Sequence, residues 1–372
     1  MRWVRATHRM VKAMAGPPPT PRTHPLPADL DTIAARVETR IGDLLDDESR
    51  RWSALDADLT EPIEALRDLV LAGGKRLRPA FCHWGFVGAG GDPDDPAVVD
   101  AGAAFELLQG FALIHDDIMD GSPVRRGAPS VHRRFVEGHL DVGWRGEPRR
   151  FGEGVAILVG DLAFVYADRL LPDGPPELGR VWHELRTELN IGQYLDLVGT
   201  ASANVDRTTA RRIARYKSGK YTIERPLQVG AALAGRHHDL AEPLSRYGDA
   251  LGEAFQLRDD VLGVFGDAAR TGKPVGDDLR EGKPTMLLAV ANERATPEQL
   301  RLLGRVGEPD LPADVVGDLQ RLLVQSGALA VVEDEITRLA DQAVAALPGV
   351  PIAAGARRAL ADLAHFVVGR DA

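Results

Sequence analysis

Three carboxylates lie close together at the end of an apolar stretch in the sequence. Asp116, Asp117 and Asp120 belong to the segment FELLQGFALIHDDIMDGSPVRRG, residues 105–127. On a helix, Asp116 and Asp120 are one turn apart on the same face, with about 6 Å between their β-carbons. Carboxylates this close repel each other, and Mg²⁺ suits them because it takes carboxylate oxygens and leaves positions for water and phosphate. Alone, the same motif also fits a solvated acidic helix end.

A second acidic cluster has the same setting. The segment AFQLRDDVLGVFGD, residues 254–267, places Asp259 and Asp260 after another apolar stretch, with Gln256 one turn before Asp260. Two acidic clusters that face each other across a cavity could hold several Mg²⁺ ions with a diphosphate between them. A pair of such clusters favours a metal site over acidic residues that are merely exposed to solvent at helix ends.

Basic side chains accompany both clusters. Arginine in particular binds phosphate through two parallel hydrogen bonds. The candidates are Lys75, Arg76 and Arg78 in GGKRLRP, Arg125 and Arg126 after the first motif, Lys217 and Lys220 in ARYKSGKYT, and Lys273 and Lys283 after the second. The sequence has no GxxxxGK[ST] pattern, which excludes a P-loop nucleotide site.

The elements that must position these residues show a helical period. The first stripe consists of Ile33, Val37, Ile41 and Leu44. A further stripe covers 63–70, and other helices are predicted at about 97–120, 154–170, 177–200, 207–235, 240–265, 283–293, 297–306, 312–325, 329–347 and 354–369. Short alternating strands with hairpin turns do not occur, so the sequence predicts an all-α fold.

Two polar, glycine-rich stretches interrupt the pattern and are predicted as loops, at about 137–154 and 271–283. Composition does not shift within the chain, which favours one large helical domain over 29–372. Residues 1–28 are rich in proline and predict a disordered extension, with a weak membrane-surface role for its basic residues as the alternative.

Composition limits the function classes. The formal net charge of −10 argues against a general nucleic-acid binder. The single cysteine, Cys82, cannot form an intramolecular disulfide, which favours a reducing compartment such as the cytoplasm. No apolar run approaches about 18 residues, so no transmembrane span is expected, and the N-terminus lacks the apolar block of a secretory signal.

Taken together, the motifs resemble those of the trans-isoprenyl diphosphate synthases, also called polyprenyl synthetases. In the family's order they read GGKRLRP, DDIMDGSPVRRG, GQYLDL, YKSGKYT, FQLRDD and GKPVGDDLREGK, between about residues 65 and 300. The resemblance implies a single helical bundle of the isoprenoid synthase type with a deep central cavity, usually as a homodimer. It also implies Mg²⁺-dependent head-to-tail (1′–4) condensation of isopentenyl diphosphate with an allylic diphosphate.

The resemblance assigns the metal ligands. It implies that Asp116 and Asp120 bind two Mg²⁺ ions, that Asp117 supports them, and that Asp259 binds a third ion. The second motif reads DDVLG, with Gly263 where many relatives carry a third Asp. Asp267, one turn further on, could compensate in part.

The resemblance also assigns substrate contacts. It implies that the allylic diphosphate is bound by Arg125, Lys217, Gln256 and Lys273, with Lys283 nearby. The pocket for isopentenyl diphosphate would contain Lys75, Arg78 and Arg126. Other cavity positions would be Gln109, Gln193, Asp196, and Ser218, which stands where relatives commonly have Thr.

Product length should depend on residues before the first motif. Phe111 lies about 7.5 Å down the helix axis from Asp116, and Leu108 about 12 Å. Helical geometry places Ala112 closer to the stripe of Asp116 than Phe111. The resemblance favours Phe111 as the floor, since one aromatic five residues before the motif and a small residue four before are typical of geranylgeranyl-producing relatives. The sequence therefore predicts geranylgeranyl diphosphate, with farnesyl or longer polyprenyl diphosphates as alternatives.

Two other functions compete. A terpene cyclase shares the fold and a first acidic motif, but usually carries an Asn/Ser/Glu metal triad and needs no isopentenyl pocket. A non-catalytic partner subunit would be expected to have lost acidic ligands, and the change at Gly263 is compatible with one such loss. His115, next to the motif, is expected to pack rather than to act as a base, a task for which the departing diphosphate suffices.

Overall fold

The computed structural model describes residues 29–202, 206–266, 275–308 and 310–370. The α-helices are α1 Leu30–Ser53, α2 Glu61–Leu71, α3 Leu77–Gly88, α4 Pro96–Asp120, α5 Val131–Val142, α6 Pro148–Leu170, α7 Pro176–Ser202, α8 Arg207–Ile213, α9 Arg225–Leu233, α10 His237–Phe265, α11 Asp277–Glu281, α12 Met286–Arg294, α13 Pro297–Leu303, α14 Ala313–Gln325, α15 Ala328–Ala346 and α16 Ala354–Gly369. Single 3₁₀ turns cover Ala57–Thr60 and Leu347–Gly349, and a π-helix covers Ala214–Glu224. The two strands are β1 Val124–Arg125 and β2 Ala128–Pro129, which pair antiparallel. The predicted all-α fold is confirmed.

The apolar stripes of the sequence become the core. Ile33, Val37, Ile41 and Leu44 are all buried on one face of α1. Helix α4 is apolar on most faces and packs most extensively against α6. Helix α10 packs against the π-helix and α15. The two acidic motifs therefore lie at the ends of two core helices, as the sequence predicted.

The predicted helix at 207–235 has an irregular centre. It divides into α8, the π-helix Ala214–Glu224 and α9. The wider turn of a π-helix commonly marks a functional site inside a longer helix. Lys217 and Ser218 lie in it, and a β-carbon placed on Gly219 would lie 3.1 Å from the carbonyl carbon of Gly252 on α10. The two glycines let the π-helix come close to α10.

The prediction of a loop at about 137–154 is wrong for most of that segment. Helix α5 continues to Val142 and α6 begins at Pro148, so only residues 143–147 lie outside helices. Gly143 ends α5 in the left-handed region at φ 70°, and a proline at the first helical position is pre-organised to start α6. Glycine and charge in this segment therefore mark helix ends rather than a long loop.

Helix α4 is by itself long and apolar enough to cross a membrane. Most of it is buried inside the protein, and its end carries the first acidic motif, as expected for a core helix. Helices α14 and α15 pass the same test only as a pair bent by 63°. The expected disordered extension, residues 1–28, lies outside the described residues.

Candidate active site

The acidic motifs open onto one cavity of about 450 Å³. Helices α3, α4, α7, α10 and the π-helix supply its walls. Among its lining residues are twelve of the predicted site residues: Arg78, Gln109, Ala112, Asp116, Arg125, Gln193, Asp196, Lys217, Ser218, Gln256, Asp259 and Lys283. Most of the residues that were assigned to metal or substrate therefore meet in one place.

Asp116 is held by side chains from two other elements. Gln193 on α7 donates to Asp116 Oδ1 at 2.9 Å, and Lys217 on the π-helix lies at the same distance from that oxygen. Lys217 also donates to Asp196 Oδ2 at 2.6 Å. Burial alone would raise the pKa of Asp116, but Lys217, Lys283 and Arg125 hold it well below its usual value. The carboxylate is therefore ionised at neutral pH.

Three carboxylates form a cluster that fits a divalent cation. One oxygen each of Asp116, Asp120 and Asp196 lies within 4.8 Å of the others. Burial raises the pKa of Asp120 to about 6, with Lys283 opposing the shift and Asp116 adding to it. Oxygen donors of this kind are what Mg²⁺ prefers. The cluster includes Asp196, which the sequence assigned to cavity lining, and does not include Asp259.

Basic residues neutralise the rest of the first motif. Arg125 donates to Asp117 Oδ1 through Nε at 2.9 Å and through Nη2. Lys283 Nζ lies 3.1 Å from Asp120 Oδ2 and also pairs with Glu281. Arg125, 3.9 Å from Asp116 Oδ2, and Lys283 thus place two cationic groups next to the acidic cluster.

The second motif is arranged differently. Asp259 pairs with Arg370, the residue after the C-terminal helix. Asp260 is buried and accepts a hydrogen bond from Gln256 Nε2 at 2.7 Å. Burial, followed by the charges of Asp278 and Asp259, raises the pKa of Asp260 to about 8. Asp259 and Asp260 both line the cavity, and the raised pKa of Asp260 favours its protonated form at neutral pH.

A cationic wall lies on another side of the cavity. Arg78 donates to Thr222 Oγ1 at 2.9 Å and its guanidinium stacks 4.3 Å from the ring of Tyr221. Tyr221 donates to Gln109 Oε1 at 2.8 Å. Arg126 is not among the residues that line the cavity; it lies behind this wall and donates to the Leu69 carbonyl at 2.8 Å. This wall suits an anionic ligand.

Three neighbouring arginines affect the pKa of Arg126. Burial lowers the pKa of Arg126; Glu106 opposes that shift, and Arg76, Arg125 and Arg78 add to it. Arg76 itself is buried and pairs with Glu38 and Glu106, so its role is structural. Lys75 is half-buried beside it.

Comparison with known proteins decides the family. Residues 60–317 match the polyprenyl synthetase family. The protein belongs to this family. It is 34% identical to a short chain isoprenyl diphosphate synthase of Methanothermobacter thermautotrophicus, over 87% of this chain and 95% of that one. It is 32% identical to a nonaprenyl diphosphate synthase of Mycobacterium tuberculosis, over 94% and 99%.

A solved structure supports the same family assignment. A geranylgeranyl pyrophosphate synthase from Corynebacterium glutamicum, complexed with isoprenyl diphosphate and magnesium, superposes with a TM-score of 0.87 at 39% identity. The alignment covers 91% of this chain and 99% of that one. This polyprenyl synthetase therefore elongates trans-prenyl chains; its family is Mg²⁺-dependent, and its acidic cluster could bind the metal. The names of its relatives span several product lengths.

The residues predicted to set product length lie below the acidic cluster. Among the described residues, Ala112 and Leu113 line the cavity and Phe111 does not. Phe111 is half-buried, with its ring 4.6 Å from the ring of His115 and 4.9 Å from Phe164 on α6. Leu108 is fully buried. The predicted packing role of His115 fits its contacts with Phe111 and with the Ile157 carbonyl at 3.2 Å.

Two predicted residues lie outside the described part of the chain, and two residues at the site were not predicted. Lys273 and Asp267 lie outside the described residues, so their predicted roles stay predictions. Sequence reasoning missed Tyr221, which follows Lys220 directly and could have been found as a lysine-flanked aromatic. It also missed Arg370, for which no local motif gives a signal because more than a hundred residues separate it from Asp259.

Proposed function

We propose that this polyprenyl synthetase condenses isopentenyl diphosphate with allylic diphosphates, head to tail (1′–4), and that its end product is geranylgeranyl diphosphate. The observation that carries the chemistry is one cavity that is lined by Asp116, Asp196, Lys217, Lys283 and Arg78, with Asp120 completing the acidic cluster. Metal-binding carboxylates and phosphate-binding cations are both needed for two diphosphate substrates.

The acidic cluster would hold Mg²⁺, which, when bound, neutralises the allylic diphosphate and stabilises the charge that develops on the leaving group. Lys217 and Lys283 contribute to the same task. Burial opposes their charged forms, but Asp116 and Asp196 raise the pKa of Lys217, and Asp278, Asp120 and Glu281 raise that of Lys283. Both ammonium groups stay protonated, and charge stabilisation is strong in a cavity that excludes water.

The arginine wall would bind the second substrate. Arg78 is held by Thr222 and Tyr221, and Arg126 by the Leu69 carbonyl, so both guanidinium groups are pre-oriented. Lys75 would add a third cation. The double bond of isopentenyl diphosphate then attacks the allylic cation, and the departing diphosphate accepts the proton that is lost.

We infer three Mg²⁺ ions per site. Two would lie at the cluster of Asp116, Asp120 and Asp196, and the third at Asp259, where it would displace Arg370. We also infer action in a reducing compartment such as the cytoplasm, which is supported by the single, buried cysteine, Cys82.

The product assignment depends on Phe111. Its ring is wedged between α4 and α6, in contact with His115 and Phe164, about 7.5 Å below Asp116. Phe111 does not itself line the cavity, but its neighbour Ala112 does, so a chain that grows past Ala112 would meet this ring and stop. Truncating it would open the wall toward Leu108 and admit further isoprene units.

Replacing Phe111 by alanine tests the product length. With isopentenyl diphosphate, Mg²⁺ and farnesyl diphosphate, Phe111→Ala should make products longer than geranylgeranyl. Phe366→Ala, which removes a half-buried aromatic ring from α16, is the matched control and should not change the length. Products of unchanged length from Phe111→Ala would overturn the floor assignment.

We also propose that the protein is a homodimer. Large apolar side chains are exposed on two neighbouring helices in the sequence: Ile157, Leu158 and Val165 on α6, and Ile191, Tyr194, Leu197 and Val198 on α7. Exposed apolar side chains in such numbers are typical of a protein–protein interface. Light scattering should give twice the chain mass, and Leu158→Glu should shift it toward the monomer. A monomeric wild-type protein would contradict the proposal.

A further inference from the structure

The π-helix presents two different faces. Its residues Lys217, Ser218 and Tyr221 line the cavity. Among the described residues, Lys220 and Glu224 do not line it, although Lys220 was a sequence candidate for phosphate binding. Their side chains are nevertheless only 12% and 5% exposed. The π-helix therefore buries a second, charged face on a side that does not line the cavity.

Glu188 on α7 joins the π-helix to α9. Lys220 Nζ lies 2.7 Å from Glu188 Oε1. Arg225, the first residue of α9, donates to both Glu188 oxygens at 2.7 Å, and such a pair of hydrogen bonds fixes the relative geometry of the two groups. Burial would raise the pKa of Glu188, but Arg225 and Lys220 hold it below its usual value. Glu188 is therefore an ionised carboxylate that pairs with two cations.

Two neutral side chains connect α9 to α10 and back to the π-helix. Arg225 Nη1 donates to Gln228 Oε1 at 2.7 Å, and Gln228 Nε2 donates to Ser245 Oγ at 2.9 Å. Ser245 Oγ donates to Glu224 Oε1 at 2.7 Å, and Glu224 Oε2 lies 3.9 Å from Lys220 Nζ. These contacts close a polar ring that joins four helical segments and consists of Glu188, Lys220, Glu224, Ser245, Gln228 and Arg225.

The backbone of α10 fits closely against the same π-helix. A β-carbon placed on Gly248 would lie 2.7 Å from Glu224 Cα, and one placed on Gly252 would lie 2.8 Å from Gly219 Cα. These neighbours are backbone atoms, which cannot move aside as the end of a side chain can. The two contacts set the distance between the π-helix and α10, and the polar ring sets how the π-helix is rotated.

The cavity face of the π-helix depends on this placement. Lys217 donates to two carboxylates of the acidic cluster at 2.9 and 2.6 Å, and Thr222 Oγ1 accepts a hydrogen bond from Arg78 at 2.9 Å. Lys217 lies three residues before Lys220, and Thr222 lies two residues before Glu224. A rotation of the π-helix would therefore displace both the cation at the acidic cluster and the partner of Arg78.

We propose that the polar ring holds the π-helix in register and that Lys220 and Glu188 are positioning residues for both substrate sites. They act through Lys217 at the acidic cluster and through Thr222 at the arginine wall. Lys220 is then a partner of Glu188 and not a ligand of phosphate. This inference rests on the proposed function, because it takes Lys217 and Arg78 as substrate contacts.

Two substitutions of Lys220 test the charge. Lys220→Met keeps most of the side chain and removes its charge, whereas Lys220→Arg keeps the charge. Lys220→Met should lower kcat/KM for both substrates about tenfold, because small displacements of positioned groups are costly, and Lys220→Arg should stay within about twofold of wild type. Hydrogen–deuterium exchange in segment 214–224 should be faster in Lys220→Met and unchanged in Lys220→Arg.

A buried carboxylate elsewhere provides the matched control. Glu48 on α1 pairs with Arg169 on α6 and accepts hydrogen bonds from Trp52 and Tyr166, and none of these four described residues lines the cavity. Glu188→Gln and Glu48→Gln should both lower Tm, since each breaks a buried ion pair. Only Glu188→Gln should also lower kcat/KM and the exchange protection of segment 214–224.

Two results would overturn the proposal. Equal kcat/KM in Glu188→Gln and Glu48→Gln would mean that the polar ring only stabilises the fold. Lys220→Arg with the low kcat/KM of Lys220→Met would mean that the charge of Lys220 does not position the π-helix.

Binding of Mg²⁺ with inorganic diphosphate, measured by calorimetry, separates this inference from the proposed function. It should weaken about tenfold in Lys220→Met and stay unchanged in Glu48→Gln, the scale of support lost from a metal site. If the wild-type protein elongates no prenyl chain but this binding pattern appears, the proposed function fails and the positioning role stands. If the wild-type protein elongates chains and the pattern is absent, the positioning role alone fails.

Discussion

The two acidic motifs of the cavity are neutralised in different ways. On α4, each carboxylate has a cationic partner on another element, Asp116 with Lys217, Asp117 with Arg125 and Asp120 with Lys283. On α10, Asp260 accepts its hydrogen bond from the neutral Gln256, and Asp259 pairs with Arg370 at the far end of the chain. Gly263 supplies no carboxylate, and Asp278 occupies its space.

The first motif is therefore local in sequence, whereas the second is assembled from segments that are distant in sequence. The first motif brings its carboxylates from one helical turn, and it meets Asp196 from α7 in a cluster that fits Mg²⁺. The second motif is completed by segments that are distant in sequence. We therefore expect the largest losses of activity from the first motif and smaller, adjustable effects from the second.

Replacing Asp116 should have the largest effect. Asp116→Ala removes a ligand of the acidic cluster and the partner of Lys217, and should lower kcat/KM by about 10³-fold or more. Steady-state assays with an allylic diphosphate and isopentenyl diphosphate measure it. Asp341→Ala, which removes an exposed carboxylate from α15, serves as the control and should retain turnover. Near-normal turnover of Asp116→Ala would contradict the assignment.

Replacing Asp260 should change the pH dependence of stability. The folded protein raises the pKa of Asp260 to about 8, above its unfolded value of about 4, so the folded state binds the proton more tightly. This contribution to the free energy of unfolding is present at low pH and is lost as the pH rises through about 8, by up to about 1.4 kcal/mol per pH unit.

Asp260→Asn should therefore flatten the decline in stability between about pH 5 and about pH 8. Urea unfolding in Mg²⁺-free buffer measures the free energy at each pH. An unchanged slope in the Asn variant would show that Asp260 is ionised in the folded protein.

Replacing Arg370 should have the smallest effect. A Mg²⁺ ion at Asp259 must displace Arg370, and ion pairs with a partly exposed member contribute about 0.2–1 kcal/mol. Arg370→Ala should thus lower the half-saturating Mg²⁺ concentration about twofold. It should also lower Tm, since the guanidinium stacks 4.1 Å from the ring of Phe255. Arg358→Ala, exposed on the same C-terminal helix, is the control, and an increased Mg²⁺ requirement in Arg370→Ala would contradict the prediction.

Features that depend on helical period and local spacing could be predicted from the sequence. The stripe from Ile33 to Leu44 and the one-turn spacing of Asp116 and Asp120 fix buried and acidic faces without tertiary information. Helix α16 was predicted with the bounds that the structure has. These features could be predicted because one helix suffices to define them.

Features that depend on contacts between distant segments could not be predicted. The pairing of Asp259 with Arg370 and the close approach of the Asp278 side chain to Gly263 arise only when α10, α11 and the C-terminal helix come together. The π-helix Ala214–Glu224 was likewise hidden inside a regular helical pattern, because its geometry depends on packing against α10. Glycine and charge around 137–154 suggested a loop, although they mark the ends of two helices.

Incubating the purified protein with isopentenyl diphosphate, with and without Mg²⁺, and with separate allylic primers tests the central claim most directly. Chromatographic sizing should show Mg²⁺-dependent prenyl diphosphates that end at geranylgeranyl. An end product of another length would support the condensation reaction but contradict the role of Phe111 as the floor of the cavity. No elongation with any primer by folded protein, or a hydrocarbon product, would contradict the proposed reaction.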